Sequence, residues 1–375
     1  MRIGYDAKRI FHNTTGLGNY SRDLVRIMAE YYPRNTYFLY NPKPGKVKRL
    51  IPDGSRLREI TPGAPYYLFP SLWRTFGLTA RLKHDRIDLY HGLTGELPAG
   101  ISKSGIPSVV TIHDLIFMYF PGMYKAIDRY LYLKKFRYAA RHADKVVAIS
   151  QKTKDDIVKY LGTDERKIQV IYQGCHPVFK RNIAPEVWER LQNTHSLPGD
   201  FILYVGAVNE RKNALTIVKS LRDKPYPLLI VGSGNRYFRT VKQYVADNGM
   251  QKRVFFLQHL DMEQIAMLYR KARIFIYPSL FEGFGIPIIE ALYSKTPVIT
   301  TSGGVFPEAG GPESIYLSNP LDTGEMSEQI DRLWNDAGLR KIISESGYRY
   351  VQKFNDETIA AKWHQLYDEI RKEKK

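Results

Sequence analysis

The sequence predicts an α/β protein built from two doubly wound parallel sheets. Short β-branched or aromatic runs alternate with helical stretches, the pattern of strand–helix–strand units with parallel strands. The runs are apolar at nearly every position, as expected where helices cover both faces of a sheet. Predicted strands lie at 2–7, 36–41, 87–92, 108–114, 145–150 and 167–174 in the first sheet, and at 201–207, 227–232, 254–258, 274–279 and 297–301 in the second.

The length of 375 residues indicates more than one domain, because a single hydrophobic core rarely organises so long a chain. A polar, helix-like interval at about 177–198 separates the two groups of strands. We therefore predict a first domain at 1–180 and a second at 181–355. The remaining 356–375 has a helical pattern, with Asn355 or Asp356 as its N-terminal cap.

The composition is that of a folded protein, with 43% hydrophobic and 25% charged residues. The single cysteine, Cys175, excludes an intrachain disulfide and fits a reducing, cytoplasmic compartment. The opening residues lack the apolar core of a signal peptide, so no export signal is expected. The long apolar stretches at 108–124 and 275–293 contain charged residues, glycines and prolines, and we predict no transmembrane segment.

The net charge of +18 is unevenly distributed along the chain. Residues 1–176 carry 29 Lys and Arg against 15 Asp and Glu, whereas 177–375 carry 27 against 23. Within the first half, the segments 43–50 and 124–141 are rich in cations, which in 124–141 alternate with aromatic residues, as in surfaces that meet anionic lipid. A solvated basic face is the equally weighted alternative. The usual nucleic-acid-binding modules are missing, so nucleic acid is not expected as a partner.

The loop after the first predicted strand contains two glycines, Gly16 and Gly18, expected to precede a helix. Glycines at that position let backbone amides approach a phosphate at the helix N-terminus. A tight turn without any ligand explains the same pattern.

The segment PSLFEGFGIPIIEAL at 278–292 places Glu282 and Glu290 on either side of a Gly-Phe-Gly turn. Pro287 suits the first turn of a helix, whose positive N-terminus would then face a diphosphate. Glu290 would lie about one turn inside that helix, where it can accept hydrogen bonds from a ribose diol, and Glu282 would face the sugar. Three residues of the turn would offer backbone amides to the anion: Gly283, Phe284 and Gly285. A solvated helix with Glu282 as a cap is the alternative.

Arg211 and Lys212 lie between the first strand of the second domain and the following helix, in GAVNERKNALTIV. Adjacent cations there can bind a diphosphate and neutralise the charge that grows on a departing nucleoside diphosphate. A surface pair without a ligand is an even alternative on this segment alone.

Taken together, six motifs resemble those of the GT-B glycosyltransferases of family 4, near their bacterial mannosyltransferase-like branch. The motifs are GLGNY at 16–20, TIHDLIF at 111–117, VVAISQKTKDDI at 146–157, VGAVNERKN at 205–213, EGFGIPIIE at 282–290 and GGVFPEAGG at 303–311. The resemblance implies two domains facing across a cleft, with the last helix crossing back to the first domain. It also implies that Arg211 and Lys212 hold the donor phosphates, Glu290 the ribose and Glu282 the transferred sugar.

Two histidines follow strands of the first domain. His113 matches the family's His-Asp position, and the resemblance implies that its ring contacts the donor sugar; Asp114 would then only orient His113. His91 lies in a second loop, where contact with donor or acceptor and a purely packed role are equally expected. The family resemblance therefore makes His113 the first-domain candidate for catalysis.

The resemblance implies a nucleotide diphosphate sugar as donor, GDP-mannose being favoured, and a glycan or lipid-linked sugar as acceptor. It also implies retention of the anomeric configuration. No acidic Asp-x-Asp pair adjoins the proposed diphosphate site, so we expect no metal cofactor. The base-binding loop is expected near 258–260, where backbone groups leave the base open. The segment after Glu308 departs from the family's alanine-rich pattern, which weakens a donor contact by Gly303 and Gly304.

Alternative classes are a glycosidase, a nucleotide-sugar epimerase of the same fold and a non-enzymatic binding protein. A glycosidase needs two carboxylates flanking the scissile bond, whereas these two glutamates flank an anion-binding turn. An epimerase would convert its donor without any acceptor. The sequence therefore favours a retaining hexosyltransferase in the cytoplasm, with contact to the inner face of the cell membrane as one of the two interpretations of its basic first half.

Overall fold

The computed structural model of the chain describes residues 1–44 and 56–374. It divides into two compact units, Met1–Gly174 with Phe354–Lys375, and Cys175–Lys353. The basic segment predicted at 43–50 lies outside the described residues from position 45 onward. Across the described ranges, no helix has the length and apolarity to cross a membrane.

The first unit, over the described residues, contains a seven-stranded parallel sheet in the order β3-β2-β1-β4-β5-β6-β7. The strands are β1 Arg2–Asp6, β2 Thr36–Tyr40, β3 Leu57–Ile60, β4 Leu89–Gly92, β5 Ser108–Ile112, β6 Lys145–Ala148 and β7 Ile168–Val170. Every predicted strand of this unit is present. Strand β3 was not predicted, because its central residues Arg58 and Glu59 are exposed at the sheet edge and break the apolar pattern.

Helices cover both faces of the first sheet, as the apolar strands require. They are α1 Lys8–His12, α2 Gly16–Tyr31, α3 Pro70–Leu72, α4 Leu78–His84, α5 Ile116–Tyr119, α6 Ala126–His142, α7 Gln151–Leu161 and α16 Asp356–Glu373. The short helix α1 was not predicted. It occupies the loop in which the sequence indicated only glycine turns.

The last helix, α16, belongs to the first unit although it follows the second in the chain. Asn355 caps it by accepting a hydrogen bond from the Thr358 amide at 2.7 Å. Asp356 forms an ion pair with Arg26 of α2 at 2.7 Å, and Trp363 and Tyr367 are buried. The predicted return of the last helix to the first domain is confirmed.

The second unit contains a six-stranded parallel sheet in the order β10-β9-β8-β11-β12-β13. Its strands are β8 Ile202–Val205, β9 Leu228–Val231, β10 Val254–Leu257, β11 Ile274–Tyr277, β12 Val298–Thr301 and β13 Ile315–Leu317. Its helices are α8 Glu186–His195, α9 Ala214–Ser220, α10 Arg236–Asp247, α11 Met262–Lys271, α12 Ile286–Tyr293, α13 Phe306–Gly310, α14 Thr323–Asn335 and α15 Ala337–Val351. Strand β13 was not predicted, because its three residues stand alone in the otherwise polar stretch GPESIYLSNP.

The strand order positions a binding site in the second unit. Strands β8 and β11 are neighbours, and the chain runs outward from them in opposite directions. Such a reversal opens a crevice beyond the carboxyl ends of the two strands. The loop after β8 carries Arg211 and Lys212, and the loop after β11 carries Glu282. The fold therefore brings the predicted donor residues to one sheet edge.

Candidate active site

The loops after β8 and β11 are held together by backbone and side-chain hydrogen bonds. The amide of Leu280 donates to the carbonyl of Arg211 at 2.8 Å. Asn213, in a left-handed conformation with φ of 58°, donates to the carbonyl of Pro278 at 3.3 Å. Asn209 accepts a hydrogen bond from the Lys212 amide at 3.0 Å. These contacts fix the two cations relative to the loop that carries Glu282.

Glu282 contacts both predicted cations. Its Oε1 atom lies 2.8 Å from Arg211 Nη1 and 3.3 Å from Lys212 Nζ. The same oxygen accepts hydrogen bonds at 2.8 Å from the hydroxyls of Tyr277 and Ser279. None of the described residues forms a hydrogen bond with the other oxygen, Oε2. The fold thus fixes one oxygen of Glu282 and leaves the second able to accept from a ligand hydroxyl.

The charge of Glu282 is set by competing effects. Burial disfavours the carboxylate, but Lys212 and Arg211, assisted by the two hydroxyl donors, outweigh burial and lower the pKa of Glu282. The residue is therefore ionised at neutral pH. Arg211 and Lys212 are held close together partly because this carboxylate offsets their mutual repulsion.

Glu290 lies on the first turns of α12, as the sequence predicted. Tyr269 donates a hydrogen bond to its Oε2 at 3.1 Å, whereas Oε1 has no hydrogen-bond donor among the described residues. Burial raises the pKa of Glu290 to about 7, against the smaller opposing effects of Tyr269 and Lys212. Glu290 therefore titrates near neutral pH.

Helix α12 begins at the predicted turn. Gly285 is its N-cap with φ of 117°, and Pro287 occupies its first turn. A Cβ atom at Gly285 would lie 3.3 Å from the Ala309 Cβ, so the conformation and the space both favour glycine. The Phe284 side chain is buried, which leaves only its backbone, with that of Gly283, to meet an anion at this helix end.

Two tyrosines that sequence reasoning missed complete the site. Tyr277 accepts a hydrogen bond from Lys212 Nζ at 2.6 Å and donates to Glu282, and Tyr269 holds Glu290. Both rings are fully buried, so in the sequence they resemble ordinary core residues of a strand and a helix. The sequence signal that could have indicated them is the tyrosine hydroxyl itself, because a buried tyrosine hydroxyl usually has a hydrogen-bond partner.

His113 follows β5 in the first unit, as predicted. Its Nε2 donates to the carbonyl of Leu93 at 2.9 Å, and its ring packs edge-on against Tyr20 with centroids 4.4 Å apart. Burial lowers the pKa of His113 to about 4, so the ring is neutral at physiological pH. The Leu93 contact places the proton on Nε2, and Nδ1 has no hydrogen-bond partner among the described residues. His113 can therefore accept a hydrogen bond through Nδ1.

His91 has a packed role, one of the two alternatives that the sequence left open. Its Nδ1 lies 2.7 Å from the Tyr367 hydroxyl of α16, and its Nε2 lies 2.8 Å from Thr111 Oγ1. The ring is completely buried, which lowers its pKa to about 3. Both nitrogens are engaged inside the first unit, so His91 joins α16 to the sheet. Asp114 accepts a hydrogen bond from the Ile116 amide at 3.0 Å, a capping contact.

The two glycines after β1 lie elsewhere than predicted. Gly16 and Gly18 occupy the first turn of α2 instead of preceding it. The Gly18 amide donates to Asn13 Oδ1 at 3.1 Å, and a Cβ at Gly18 would lie 1.8 Å from the Asn13 carbonyl oxygen. Close packing against Asn13 therefore explains Gly18. Nothing lies within 4 Å of a Cβ at Gly16, so phosphate contact there stays a prediction.

Paired carboxylates beside paired cations, at the reversal point of a doubly wound sheet, suit a ligand that carries both hydroxyls and a diphosphate. Within the described ranges, no three acidic, histidine or cysteine side chains are grouped to hold a metal ion.

Comparison with known proteins identifies the family. Residues 14–178 match the family described as Glycosyltransferase Family 4, and residues 189–350 match Glycosyl transferases group 1. The chain belongs to these glycosyltransferases, and it is a transferase enzyme.

Two curated relatives carry related names. The O-antigen chain mannosyltransferase RfbU of Salmonella typhimurium is 30% identical over 226 residues, which is 60% of this chain and 60% of that protein. The O-antigen chain mannosyltransferase B of Escherichia coli is 24% identical over 98% of this chain and 99% of its own length.

A solved structure shares the fold over the whole length of the chain. The sucrose-phosphate synthase of Thermosynechococcus elongatus has a TM-score of 0.78 at 22% identity, covering 99% of both chains. The GT-B fold predicted from the sequence is thereby confirmed.

Proposed function

We propose that this glycosyltransferase transfers mannose from GDP-mannose to a hydroxyl of a lipid-linked glycan in the assembly of a cell-surface polysaccharide. The names of the two mannosyltransferase relatives support the sugar and the pathway class. The observation that carries the proposal is the pair of glutamates near Arg211 and Lys212. In each glutamate one carboxylate oxygen accepts a hydrogen bond within the fold, and the other has no donor among the described residues. A transferase to a soluble acceptor and a nucleotide-sugar epimerase are the alternatives.

The donor diphosphate would bind Arg211 and Lys212 at the N-terminus of α12. The guanidinium fork and the ammonium group supply charge-assisted donors, and the helix end adds roughly half a positive charge. Glu282 already keeps both cations in place, so little reorganisation is needed when the diphosphate binds. As the bond to the sugar breaks, negative charge grows on the leaving diphosphate, and the same cations stabilise it.

The sugar and the ribose would be held by the two glutamate oxygens that have no hydrogen-bond donor among the described residues. Oε2 of Glu282 is suited to a sugar hydroxyl, and Oε1 of Glu290 to the ribose diol. The role of His113 toward the sugar follows from the family resemblance, and its neutral Nδ1 is suited to accept a sugar hydroxyl. All three side chains are oriented by other residues, which reduces the entropy lost on binding.

We propose that the reaction retains the anomeric configuration. The acceptor hydroxyl attacks on the face from which the diphosphate departs, and its proton passes to a leaving phosphate oxygen. The glycosidic bond to the acceptor forms as the sugar–phosphate bond breaks, through an oxocarbenium-like state. Glu282 is paired with two cations and Glu290 is hydrogen-bonded to Tyr269, so neither is placed as the free general base that an inverting attack requires.

Proton NMR of an early reaction mixture tests this mechanism. With GDP-mannose, an α-linked donor, and a synthetic polyprenyl-diphosphate-linked glycan, we expect an α-linked mannosyl product. A β-linked product would overturn the mechanism. A parallel incubation without acceptor tests the epimerase alternative, because only an epimerase converts the donor sugar when no acceptor is present.

We further propose that transfer needs no divalent ion, because the two cations and the helix N-terminus supply the positive charge that a metal supplies in other transferases. Activity should be unchanged after dialysis against EDTA. Loss of activity in EDTA that magnesium or manganese restores would contradict this proposal.

We also propose a cytoplasmic location, peripheral on the inner face of the cell membrane. The predicted basic segment 124–141 includes α6, whose Lys134, Lys135 and Arg137 are exposed. Such a helix attracts anionic lipid and would bring the first unit to a lipid-linked acceptor.

A further inference from the structure

The first unit exposes a run of large apolar side chains that sequence reasoning did not single out. Leu68 and Phe76 are 61% and 64% exposed, although neighbouring Trp73 is buried and anchors the segment. A folded unit seldom leaves so many adjacent large apolar residues in water unless the surface binds something. The exposed members of the run are Tyr66, Tyr67, Leu68, Phe69, Leu72 and Phe76.

Helix α6 also exposes large apolar residues. Ile127, Tyr130 and Leu131 are 66%, 64% and 45% exposed, and their i, i+3, i+4 spacing places them on one face of the helix. The opposite face packs on the core through Phe136 and Ala139. Helix α6 therefore carries apolar residues on both faces, and the described part of the first unit leaves Ile127, Tyr130 and Leu131 exposed.

The two exposed segments flank one loop, which follows β4. Glu96 of that loop lies 2.6 Å from Arg74 and 3.6 Å from Lys135 of α6. The Ala99 amide donates to the Thr75 carbonyl at 2.7 Å, and the Gly100 amide donates to the Tyr138 hydroxyl of α6 at 3.2 Å. Residues 66–76 and α6 are therefore neighbours on either side of this loop, and we call the exposed residues of 66–76 and 119–132 together the aromatic surface.

The charges around the aromatic surface indicate what covers it. Helix α6 and its N-cap carry six cations against one acidic residue, Asp128: Lys125, Arg129, Lys134, Lys135, Arg137 and Arg141. Lysine is depleted from the core of protein interfaces, whereas aromatic residues mixed with lysines are typical of helices that lie in the headgroup region of a bilayer. A membrane therefore fits these residues better than a second protein.

We propose that the aromatic surface docks on an anionic lipid bilayer. Tyr67, Leu68, Phe69 and Phe76 enter the boundary between headgroups and acyl chains, and the lysines of α6 contact the lipid phosphates. This proposal names the residues through which the peripheral membrane contact of the proposed function is made. It rests on that function only for the reason that docking is useful, since docking itself needs neither donor nor acceptor.

Flotation of the full chain tests the docking. Vesicles of phosphatidylethanolamine with phosphatidylglycerol should carry the protein upward at low salt, and neutral phosphatidylcholine vesicles should carry much less. The triple variant Tyr67→Ser, Leu68→Ser, Phe69→Ser should lower the partition coefficient at least about tenfold, because each residue loses apolar burial. Lys125→Gln with Lys134→Gln should weaken binding to anionic vesicles alone.

The second unit provides a matched control. Leu321 and Ile342 are 58% and 61% exposed, and the double variant Leu321→Ser, Ile342→Ser should float like the parent chain. Parent chain that fails to float at low salt, or a triple variant that floats like the parent, overturns the proposal. Light scattering that shows a dimer of the parent and a monomer of the triple variant, without vesicle binding, also overturns it and assigns the surface to a second copy.

A labelled cysteine gives a reading that does not depend on removing apolar residues. A polarity-sensitive fluorophore on Leu68→Cys should shift to the blue when anionic vesicles are added, and the same probe on Leu321→Cys should not. Cys175 is buried and should label little. Transfer to a soluble acceptor analogue, measured on the triple variant, separates the two proposals: unchanged transfer with lost flotation supports docking, and absent transfer in the parent chain contradicts only the proposed function.

Discussion

Glu282 and Glu290 lie on one loop-and-helix segment, yet their environments move their pKa values in opposite directions. Glu282 is paired with Lys212 and Arg211, whose charges outweigh burial and lower its pKa. Glu290 has only a tyrosine hydroxyl as partner, and burial raises its pKa to about 7. The sequence shows two identical residues, but the fold makes one a permanent anion and the other a group that titrates at working pH. Their functions should differ accordingly.

The largest expected effect comes from removing Lys212, one of the two cations that Glu282 contacts. Lys212→Ala should lower kcat on the order of 100-fold while changing the donor KM far less, because charge on the leaving phosphate grows toward the transition state. Steady-state kinetics with GDP-mannose measure both constants. Lys252→Ala, an exposed lysine of the same unit, is the control and should behave like the parent. If the factors by which kcat and KM change agreed with each other to within about twofold, the assignment of Lys212 would be refuted.

The second test concerns Glu290. Glu290→Ala should raise the donor KM about tenfold and leave kcat within a few-fold, as expected for a charge-assisted hydrogen bond worth ~1.5–3 kcal/mol that is made equally in both states. In the parent chain the donor KM should rise as pH falls below about 7, because the carboxylate that accepts from the ribose becomes protonated. KM measured between pH 5.5 and 8.5 checks this. A pH profile of KM that is unchanged in the Glu290→Gln variant would contradict the role.

The third test concerns stability instead of activity, and the sign of the effect differs between the two glutamates. Above pH 7 the buried Glu290 carboxylate is charged against its raised pKa, so Glu290→Gln should stabilise the fold by up to about 3 kcal/mol. That gain should shrink as pH falls through 7 toward the unfolded value near 4.5. Glu282→Gln should instead destabilise, since it leaves Arg211 and Lys212 without their anion. Thermal unfolding at pH 8 and pH 5 compares the variants, and shifts of the same sign would refute the difference.

Much of this fold follows from the sequence because buried parallel strands are apolar at nearly every position. Runs such as those of β8 and β11 have that pattern, and the predictions for them are confirmed. Strand β3 is not recognisable in this way, since its Arg58 and Glu59 face water at the edge. The buried strands of the sheets can thus be predicted from local composition. An exposed edge strand such as β3 cannot, because it lacks the continuous apolar pattern.

The site shows a similar division. Glu282, Glu290, Arg211 and Lys212 can be found from spacing, because glycines and a helix-starting proline surround charged residues. The tyrosine that connects Lys212 to Glu282 cannot, since Tyr277 lies in a fully apolar strand and its hydroxyl joins Glu282 to Lys212, which is 65 residues away in the sequence. The exposed run at 66–76 is hidden for the opposite reason: its composition is that of a core segment, and only the three-dimensional arrangement shows that it faces outward.

The return of α16 to the first unit affects how the chain is made. All strands of that unit's sheet have been synthesised once β7 is made. The hydrogen bond between His91 Nδ1 and the Tyr367 hydroxyl, however, can form only after α16 has been synthesised. The whole of Cys175–Lys353 is translated in between, which takes roughly 10–40 s at bacterial rates of ~5–20 residues per second. At the end of this interval the second unit has every residue of its own core, whereas the first still lacks Trp363 and Tyr367. On the ribosome, the unit translated second is therefore expected to be the first to reach its final packing.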